Sequence, residues 1–387
     1  MSVPITIISS PNQISSAYNQ IIYKISSSDT AKPNFNFVAD VYVSGFTGIQ
    51  ARLLYPVQPN TNILQFDIGN VLKNYVSYDF LDSFGTLVQA NWQSTVNYYV
   101  SFGEIYDVSG IPTLNANIVR NPTSDYKSAI NTVFDFQQMS TNILDTYDVS
   151  AGKFLNTTVL QKYVSGKQKL VSFLDKNRVV NIYQVSTNLG IITTGVLTLP
   201  ASFNIFNLDV KKILSFLSVP AAAQYIDIGV GTDDGMDITI LATQRLTVDS
   251  DCSQYDTMRL HWLNQLGGFD TFNFNKATTN NIDVQRSQFK TIQALNNAHS
   301  DRLKTNYNTE MVDKINLQSD WITDDESLLI QTLIESPIVF LENADGSFVA
   351  VNITNPSYEV KKYLNGRKIF NVSIDMEYTY NRYRQSQ

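Results

Sequence analysis

Few side chains in this sequence combine the residue types and spacing that catalysis or metal binding needs. The two histidines, His261 in an apolar run beside Trp262 and His299 in a polar stretch, have no Cys or His close by in sequence. A zinc site or a Ser-His-Asp triad is therefore not expected, and His261 is better explained as a hydrogen-bonded histidine within a strand. Gly-x-Ser-x-Gly, P-loop and Cys-x-x-Cys motifs are also absent from the sequence. The sequence predicts a protein that is not an enzyme and uses no cofactor.

An acidic turn is the one candidate for metal binding. Asp233, Asp234 and Asp237 could supply oxygen ligands to calcium, but their spacing matches no EF-hand loop. An exposed acidic turn without metal is the preferred interpretation, which leaves a weak calcium candidate. The preceding Gly229-Val230-Gly231 follows a strand, as in a dinucleotide-binding loop, yet position 234 is Asp and no helical pattern follows. A tight hairpin is predicted there instead.

Charge and composition exclude several classes of partner. The chain has 387 residues, a net charge of -7 and 16% charged residues, against about 25% in an average protein. Its densest basic run, Lys361-Lys362 with Arg367-Lys368, is interrupted by Tyr363, so no phosphate-binding cluster and no nucleic-acid partner is predicted. A surface with few charges suits large permanent protein contacts, although any β-rich chain with few charges would look the same.

The ends of the chain and its apolar runs bear on localisation. Met1 to Pro11 has no basic segment before its short apolar run, which predicts a first strand and no signal peptide. No apolar stretch approaches 18 residues, so no membrane span is predicted. The single cysteine, Cys252, cannot form an intrachain disulfide. We expect a protein that stays in a cytoplasm until it is assembled or released.

Two stretches about 142 residues apart share the same landmarks. Leu53-Leu54-Tyr55-Pro56 precedes Phe66-Asp67-Ile68, and Leu197-Thr198-Leu199-Pro200 precedes Leu208-Asp209-Val210. Each copy lies between two strand-like runs, which indicates a duplicated domain. Asp67 and Asp209 precede apolar residues at helical spacing, so each is expected to be the N-cap of a short helical turn.

The distribution of strands sets the predicted fold class, which is mainly β. Short apolar or alternating runs bounded by Gly, Pro, Asn and Ser predict two tandem immunoglobulin- or fibronectin-III-like β-sandwich domains. The first copy is assigned to residues 1–107 and the second, with a connector, to residues 108–250. An amphipathic segment in the connector, with Ile130, Val133, Phe134 and Phe136, is predicted to be ordered by partner contact.

The pattern after residue 250 predicts a different domain over residues 251–387. A hairpin is expected from Met258–Leu263 and Phe269–Phe274, and a second around Asn343-Ala344-Asp345-Gly346. Thr323-Asp324-Asp325-Glu326 predicts the start of a helix that ends before Pro337. The last strand is expected from Phe370 to Tyr380. The predicted architecture is α+β, with one helix covering an antiparallel sheet.

The C-terminal tail supplies the interface candidates. Tyr363, Tyr378 and Tyr380 are expected mainly to pack on the sheet. Tyr383 lies beyond the last strand between Arg382 and Arg384, and Tyr and Arg are enriched in interface hot spots. Arg382, Tyr383 and Arg384 are therefore predicted to form an interface arm.

Several of these segments resemble virion proteins of tailed bacteriophages, of the crAss-like or marine-phage type. The similar stretches are Asn34–Val43, Phe66-Asp67-Ile68, Val100–Glu104, Leu260–Asp270 and Val372–Arg382. The resemblance implies a virion protein of the tail, head-tail ring or baseplate, and it carries no active site.

The sequence and the resemblance together predict a non-enzymatic structural subunit of a phage virion. Its expected partners are other copies of itself in a symmetric ring or multimer and other virion proteins such as tail, portal or fibre proteins. The alternative hypothesis is a fibre-type or receptor-binding module that recognises host-surface glycans. A polysaccharide-cleaving virion enzyme is a third, less favoured hypothesis, since no carboxylate pair can be nominated from sequence.

Overall fold

The computed structural model is mainly β, with 50% strand and 10% helix. It describes residues 5–58, 61–80, 85–115, 119–120, 126–135, 143–157, 161–200, 204–248, 255–292, 295–296, 298–343, 345–355 and 371–383. Among these residues, no helix has both the length and the apolar character needed to span a membrane.

The first part of the chain forms two sheets around one hydrophobic core, which we call the first β unit. Its elements, together with β7 of a later sheet, are β1 (Ile5–Ser9), β2 (Ile14–Ser16), β3 (Ile22–Ser27), β4 (Asn36–Val43), β5 (Ala51–Pro56), β6 (Ile63–Asp67), α1 (Gly69–Leu72), β7 (Val88–Asn91), β8 (Thr95–Val108), β9 (Ile111–Leu114), β10 (Val119–Arg120) and β11 (Lys127–Ile130). The small sheet has the order β1-β3-β6 and the large one β2-β11-β8-β4-β5, with β9 and β10 also pairing with β8. Tyr23 and Phe66 from the small sheet meet Phe37 and Phe102 from the large one, all fully buried. Alternation of side chains along these strands puts one face of each sheet in the core.

The next part repeats this arrangement and forms the second β unit. Its elements are α2 (Ile143–Tyr147), β12 (Gln161–Tyr163), β13 (Leu170–Leu174), β14 (Ile182–Thr187), β15 (Gly190–Val196), β16 (Ile205–Asp209), α3 (Val210–Ser215), β17 (Tyr225–Asp233) and β18 (Ile238–Val248). The sheets have the orders β13-β16-β7 and β12-β18-β17-β14-β15. Phe173 and Phe206 face Val185 and Ile228 across a shared core.

Strand order confirms the duplication that the sequence indicates. The five strands in the main order of each large sheet correspond one to one, and the first sheet also has β9 and β10 on β8. In each sheet the first pair is parallel: β2 with β11 through Ile14 and Ser128, and β12 with β18 through Gln161 and Leu246. In the small sheets β3-β6 corresponds to β13-β16, and each copy continues into a helical turn, α1 or α3. Both copies are therefore built on one topology, although the landmarks shared in sequence are few.

Strand pairing crosses the predicted boundary at residue 107. β7 precedes that boundary, yet it pairs with β16 of the second β unit, from Val88↔Leu208 to Asn91↔Ile205. β11 follows the boundary, yet it lies between β2 and β8 of the first β unit. One strand, β7, is therefore contributed by the first part of the chain to the second β unit, whereas β11 shows that the first β unit extends past residue 107. Local patterns in sequence cannot show the placement of β7, because its partner β16 lies more than 100 residues further along the chain.

The last part forms a single large sheet, the C-terminal sheet, with one helix. Its elements are β19 (Met258–Leu263), β20 (Phe269–Phe274), β21 (Thr279–Lys290), β22 (Lys304–Gln318), α4 (Asp324–Glu335), β23 (Val339–Glu342), β24 (Phe348–Ile353), β25 (Ser373–Tyr378) and β26 (Arg382–Tyr383). The order is β20-β19-β23-β24-β25-β22-β21, with β26 also on β22. Leu329, Ile330 and Leu333 of α4 pack on Leu260 and Trp262. The predicted hairpins and helix are all present.

One of the two predicted N-caps is wrong. Asp209 is the N-cap of α3 and accepts a hydrogen bond from Lys212 N at 2.9 Å, but the N-cap of α1 is Ile68. Asp67 instead accepts from Gly69 N at 2.9 Å and from Ile21 N at 3.0 Å, so its carboxylate joins β3 to the turn. The described part of the amphipathic segment begins at Ile130, the last residue of β11, and Phe136 lies outside the described residues.

The glycines Gly229 and Gly231 lie inside β17 and not in a turn. A β-bulge falls between Val230 and Gly231, where β17 pairs with β18. A Cβ atom at Gly231 would lie 2.2 Å from the backbone oxygen of Thr239. Glycine is therefore required by the close approach of the neighbouring strand, and the hairpin turn itself follows at residues 234–237.

The capping box at the start of α4 gives a first testable prediction. Glu326 N donates to Thr323 Oγ1 at 3.3 Å, and Thr323 N donates to Glu326 Oε2 at 2.9 Å. Replacing Thr323 by Ala is expected to lower the free energy of unfolding by about 1 kcal/mol, measured by urea denaturation. Thr323→Ser keeps the hydroxyl and should cost much less; equal losses in the two variants would contradict the capping role.

Candidate functional site

The largest concentration of buried charge lies where the second β unit meets the C-terminal sheet. Lys169, Arg259, His261, Asp270 and Glu342 are all fully buried, and we call these five residues the buried charge cluster. Burying a charge is costly unless it is paired and hydrogen-bonded. The arrangement of partners around these side chains therefore decides what the cluster can do.

The alternation of β19 places Arg259 and His261 on one face of the C-terminal sheet. Leu260 and Trp262 point toward α4 and belong to the apolar core. Arg259 and His261 alternate with them and so point to the opposite face, where the second β unit covers the sheet. Arg259 pairs in register with Glu342 of β23, and Trp262 pairs with Asp270 of β20. The C-terminal sheet is thus covered on both faces, by a helix on one and by a β unit on the other.

Asp270 joins the two sides of this junction. Its carboxylate accepts hydrogen bonds from Thr157 N at 3.1 Å and Gln161 Nε2 at 2.9 Å, both in the second β unit. It also accepts from Thr157 Oγ1 and, at 2.9 Å, from Asn264 Nδ2 in the β19–β20 turn. Asn156 adds a bond at 3.3 Å and donates to Phe269 O at 2.7 Å. One buried carboxylate therefore satisfies donors from two segments of the chain.

Glu342 makes a second connection across the junction. It accepts from the backbone N–H of Gln168 in the second β unit, with both oxygens at 3.2 Å, and lies 2.9 Å from His261 Nε2. The Lys169 ammonium donates to Gln161 Oε1. Arg259 Nη2 donates to Thr271 Oγ1 at 3.0 Å. Every member of the buried charge cluster therefore has a polar partner.

Burial sets the protonation of the cluster. Desolvation lowers the pKa of Lys169 to about 7, although the charge of Asp270 opposes it. Desolvation also lowers the pKa of His261 to about 4, against the raising effect of Glu342. Burial acts to raise the pKa of Glu342, but the hydrogen bond from His261 and the positive charge of Arg259 act against it, and the net shift is downward. At neutral pH, His261 is therefore a neutral donor to an ionised Glu342.

This protonation predicts loss of stability in mild acid. The unfolded chain binds a proton at His261 near its ordinary pKa of 6.5, whereas the folded protein does so only near pH 4. The contribution of His261 to stability is therefore full above about pH 6.5 and is lost as the pH drops toward 4. The histidine alone should cost about 2–3 kcal/mol between pH 7 and pH 4.5. Urea denaturation at both pH values should show a smaller decrease for His261→Gln than for the natural protein. Equal decreases would contradict the assignment.

Aromatic side chains dock the first β unit on the same face of the C-terminal sheet. Phe80, which follows α1 in the chain, stacks on Phe340 with ring centroids 4.3 Å apart and an interplanar angle of 11°. It also contacts Phe269 and Phe348, each at 4.9 Å, and the ring of His261 at 5.8 Å. Both β units therefore meet beside the buried charge cluster.

A long hairpin extends from the other edge of the C-terminal sheet. β21 and β22 pair from Thr279↔Asn316 to Lys290↔Lys304, and we call this hairpin with its connecting turn the arm. β25 pairs with β22 only from Lys314 onward and β26 only at Glu310 and Met311. In the part of the chain that the structure describes, the arm is two strands wide beyond Thr309, and every residue of β21 except Ser287 is exposed. A two-stranded hairpin alone in water is marginal, so this part of the arm is suited to a contact with another molecule.

A groove of about 550 Å³ lies between the first β unit and the C-terminal sheet. Its apolar walls come from both sides, and they include Val76, Tyr78, Val133, Leu263 and Ile338. Asp135 and Glu335 also line it, and both are exposed. No Lys or Arg is among the described residues that line it. The groove is an apolar surface with negative charge and room for side chains of a partner.

The calcium candidates lie in an exposed turn between β17 and β18. There the carboxylates of Asp233 and Asp234 accept hydrogen bonds from backbone N–H groups of the turn. Asp233 Oδ1 accepts from Gly235 N at 2.8 Å, and Asp234 Oδ1 accepts from Met236 N and Asp237 N at 2.9 and 2.8 Å. Within the described ranges, no group of three or more His, Cys, Asp or Glu side chains is placed to hold a metal ion. These hydrogen bonds explain the acidic residues as turn formers.

The predicted interface residues lie at the edge of the arm. Arg382 Nη2 donates to Asp313 Oδ1 at 2.5 Å, and Tyr383 pairs with Glu310 of β22. Arg384 lies outside the described residues, as do Tyr363 and the basic run Lys361-Lys362 with Arg367-Lys368. The structure therefore brings Arg382 and Tyr383 to the arm.

Two further predictions concern single residues. The interpretation of His261 as a hydrogen-bonded strand histidine is confirmed by its bond to Glu342. Tyr378 is half-buried and packs against the core, which confirms packing on the sheet, whereas Tyr380 is 50% exposed. His299 lies exposed in the turn of the arm.

Sequence reasoning missed Lys169, Arg259, Asp270 and Glu342. A signal was present, because Arg259 lies between Met258 and Leu260 and Asp270 lies between Phe269 and Thr271 in strands that are otherwise largely apolar. A charged residue at such a position indicates a second buried face. Which charges meet depends on long-range pairing and could not be obtained from spacing.

No protein-family model and no curated protein matches this chain. Among solved structures, it is similar to a chimeric tandem of titin Z1 and Z2 domains functionalised with a GRGDS peptide from fibronectin. The identity is 11%, the match covers 64% of this chain and 100% of that one, and the TM-score is 0.16. A similarity this low carries no argument about fold or function.

Proposed function

We propose that this protein is a non-enzymatic structural component of a bacteriophage virion, in a tail, head-tail ring or baseplate assembly. Its partners would be further copies of itself and other virion proteins. In this proposal the two β units are immunoglobulin- or fibronectin-III-like sandwiches, and the C-terminal sheet with α4 is a separate α+β domain. The observation that carries the proposal is the arm, whose distal part has no other strand beside it among the described residues.

The unpaired edges of the arm support a role in assembly. Strand edges with free backbone N–H and C=O groups are sites for pairing with another chain, and exposed apolar side chains add to this. Ile282 and Phe289 are 55% and 46% exposed on the arm. A multimer that covers the arm would remove both features from water, which is the physical reason for assigning it to contact.

Burial of the charge cluster supports a structural role over a catalytic one. Lys169, whose pKa is lowered to about 7, and His261 would both be candidates for acid-base chemistry if a substrate could touch them. Both are fully buried under the second β unit. Their hydrogen bonds hold the β unit against the C-terminal sheet, which a rigid building block requires.

The proposal is tested by assembly state and by particle association. Light scattering after size-exclusion chromatography is expected to show multimers that grow with concentration, and mass spectrometry of purified phage particles is expected to find the chain. A protein that is monomeric at every concentration and absent from particles would contradict the proposal. Specific binding on a glycan array by the isolated monomer would favour the receptor-binding alternative instead.

A further inference from the structure

The turn of the arm presents large apolar side chains to water. Ile292 and Leu295 are 97% and 105% exposed, and Phe289 and Tyr307 beside them are about half exposed. Full burial of one such side chain stabilises a contact by about 1.5–3 kcal/mol. This concentration of apolar residues at the end of a projecting hairpin indicates a surface that another molecule covers.

The same end of the arm is positively charged in an acidic protein. Arg286, Lys290, Arg302 and Lys304 are all exposed, and the one acidic residue between Val284 and Thr309 is Asp301. The carboxylate of Asp301 accepts a hydrogen bond from Ala298 N at 2.8 Å and so stabilises the turn. The chain as a whole has a net charge of -7. The end of the arm is therefore opposite in charge to the chain as a whole, which favours its contact with another copy of the same chain.

The groove offers the matching surface. Its apolar walls, with Val76, Val133, Leu263 and Ile338, can bury aliphatic side chains, and its volume of about 550 Å³ accommodates several of them. Asp135 and Glu335 lie among these residues and are exposed. The groove thus presents both the apolar wall and the negative charge that the end of the arm would need.

We propose that Ile292 and Leu295 of one copy insert into the groove of a neighbouring copy, with Lys290 and Arg302 facing Asp135 and Glu335 there. This inference rests on the proposed function as an assembly subunit and names its contact. The arm and the groove are different surfaces, so the contact is heterologous. Repetition of it adds copies in one direction and builds a ring or a helical stack.

The reach of the arm is sufficient for this contact. Among the described residues, the only strand that pairs with the segment from Arg286 to Ile292 is its hairpin partner β22. Six residues of strand span about 20 Å. The tip therefore extends well beyond the C-terminal sheet of its own copy and is free to meet another one.

Cross-linking tests the contact directly. In a Cys252→Ser background, Leu295→Cys combined with Val133→Cys is treated with a short bis-maleimide. A ladder of covalent multimers is expected, because each copy then has both halves of the contact. A mixture of the two single variants should give heterodimers and nothing larger. The matched control replaces Val133→Cys by Leu189→Cys, at an exposed leucine of the second β unit, and should give no ladder.

Charge reversal gives an independent measurement. Lys290→Glu with Arg302→Glu is expected to raise the dissociation constant of the multimer by about tenfold or more, measured by light scattering over a dilution series. Adding Asp135→Lys and Glu335→Lys to the same chain should restore association. Lys73→Glu with Lys176→Glu, at exposed positions away from the arm, makes the same charge change and should leave the dissociation constant nearly unchanged.

The outcomes separate this inference from the proposed function. Multimers that form without the Leu295–Val133 cross-link would overturn the inference and leave the assembly role standing. If the Leu295→Cys variant alone cross-links equally well, the contact joins the tips of two arms, and the inference is overturned. A cross-link that forms only within one chain would also overturn the inference. A protein that is monomeric at every concentration and absent from particles would contradict both.

Discussion

Replacing Asp270 by Ala is expected to lower the free energy of unfolding by about 3–5 kcal/mol, the cost of removing one partner from a buried charged network. The substitution leaves Thr157, Gln161 and Asn264 without their shared acceptor. It also removes the nearby negative charge that favours the protonated form of Lys169. Both effects act at the junction of the second β unit with the C-terminal sheet, so that junction should open first.

Urea denaturation followed by tryptophan fluorescence measures this loss. Trp262 is fully buried in the C-terminal sheet, whereas Trp92 and Trp321 are more than half exposed, so the change in fluorescence reports mainly on that sheet. Asp283→Ala is the matched control, since Asp283 pairs with Lys314 at the surface, where such pairs contribute about 0–1 kcal/mol. Equal losses for Asp270→Ala and Asp283→Ala would show that the buried charge cluster does not hold the junction.

Replacing Phe80 by Ala is expected to be the second large effect, with a loss of about 3 kcal/mol. The ring of Phe80 lies among Phe269, Phe340 and Phe348, and a Phe→Ala change in a packed core costs about 3–5 kcal/mol. Phe80 is half-buried, which places it at the lower end. The variant should separate the first β unit from the C-terminal sheet while each retains its own core.

Limited proteolysis and denaturation together check the prediction for Phe80. Cleavage between the first β unit and the rest of the chain should become faster in Phe80→Ala, and the denaturation midpoint should fall. Phe46→Ala is the control, because Phe46 is 56% exposed and contacts Tyr75 within the first β unit. A Phe80→Ala protein as resistant to protease as the control would contradict the docking role.

Much of the local structure could be predicted from sequence because its causes are local. The capping box Thr323–Glu326, the β19–β20 hairpin and the N-cap at Asp209 each depend on residues within a few positions of one another. The duplication was also visible, since both copies kept a Pro, an Asp and flanking apolar runs. Mainly β structure follows from the same alternation of side chains.

The candidate site could not be predicted, because its causes lie far apart in the chain. Asp270 meets Thr157 and Gln161 across more than 100 residues. The role of Arg259 and His261 as junction residues depends on which face of β19 the second β unit covers. Asp67 shows the same limit on a small scale, since its bond to Ile21 N comes from sheet pairing.

The sequence by itself determined the mainly β class, the duplicated plan, the helix of the C-terminal sheet and the acidic balance of the chain. Periodicity, capping and composition act within a few residues or over the whole chain, and both are visible in one dimension. Only the tertiary structure decided that β7 pairs with the second β unit, that five charges are buried at one junction, and that β21 and β22 project as an arm. Each of these depends on which distant strands pair, and that choice is made by burial of whole faces, which no single stretch of sequence contains.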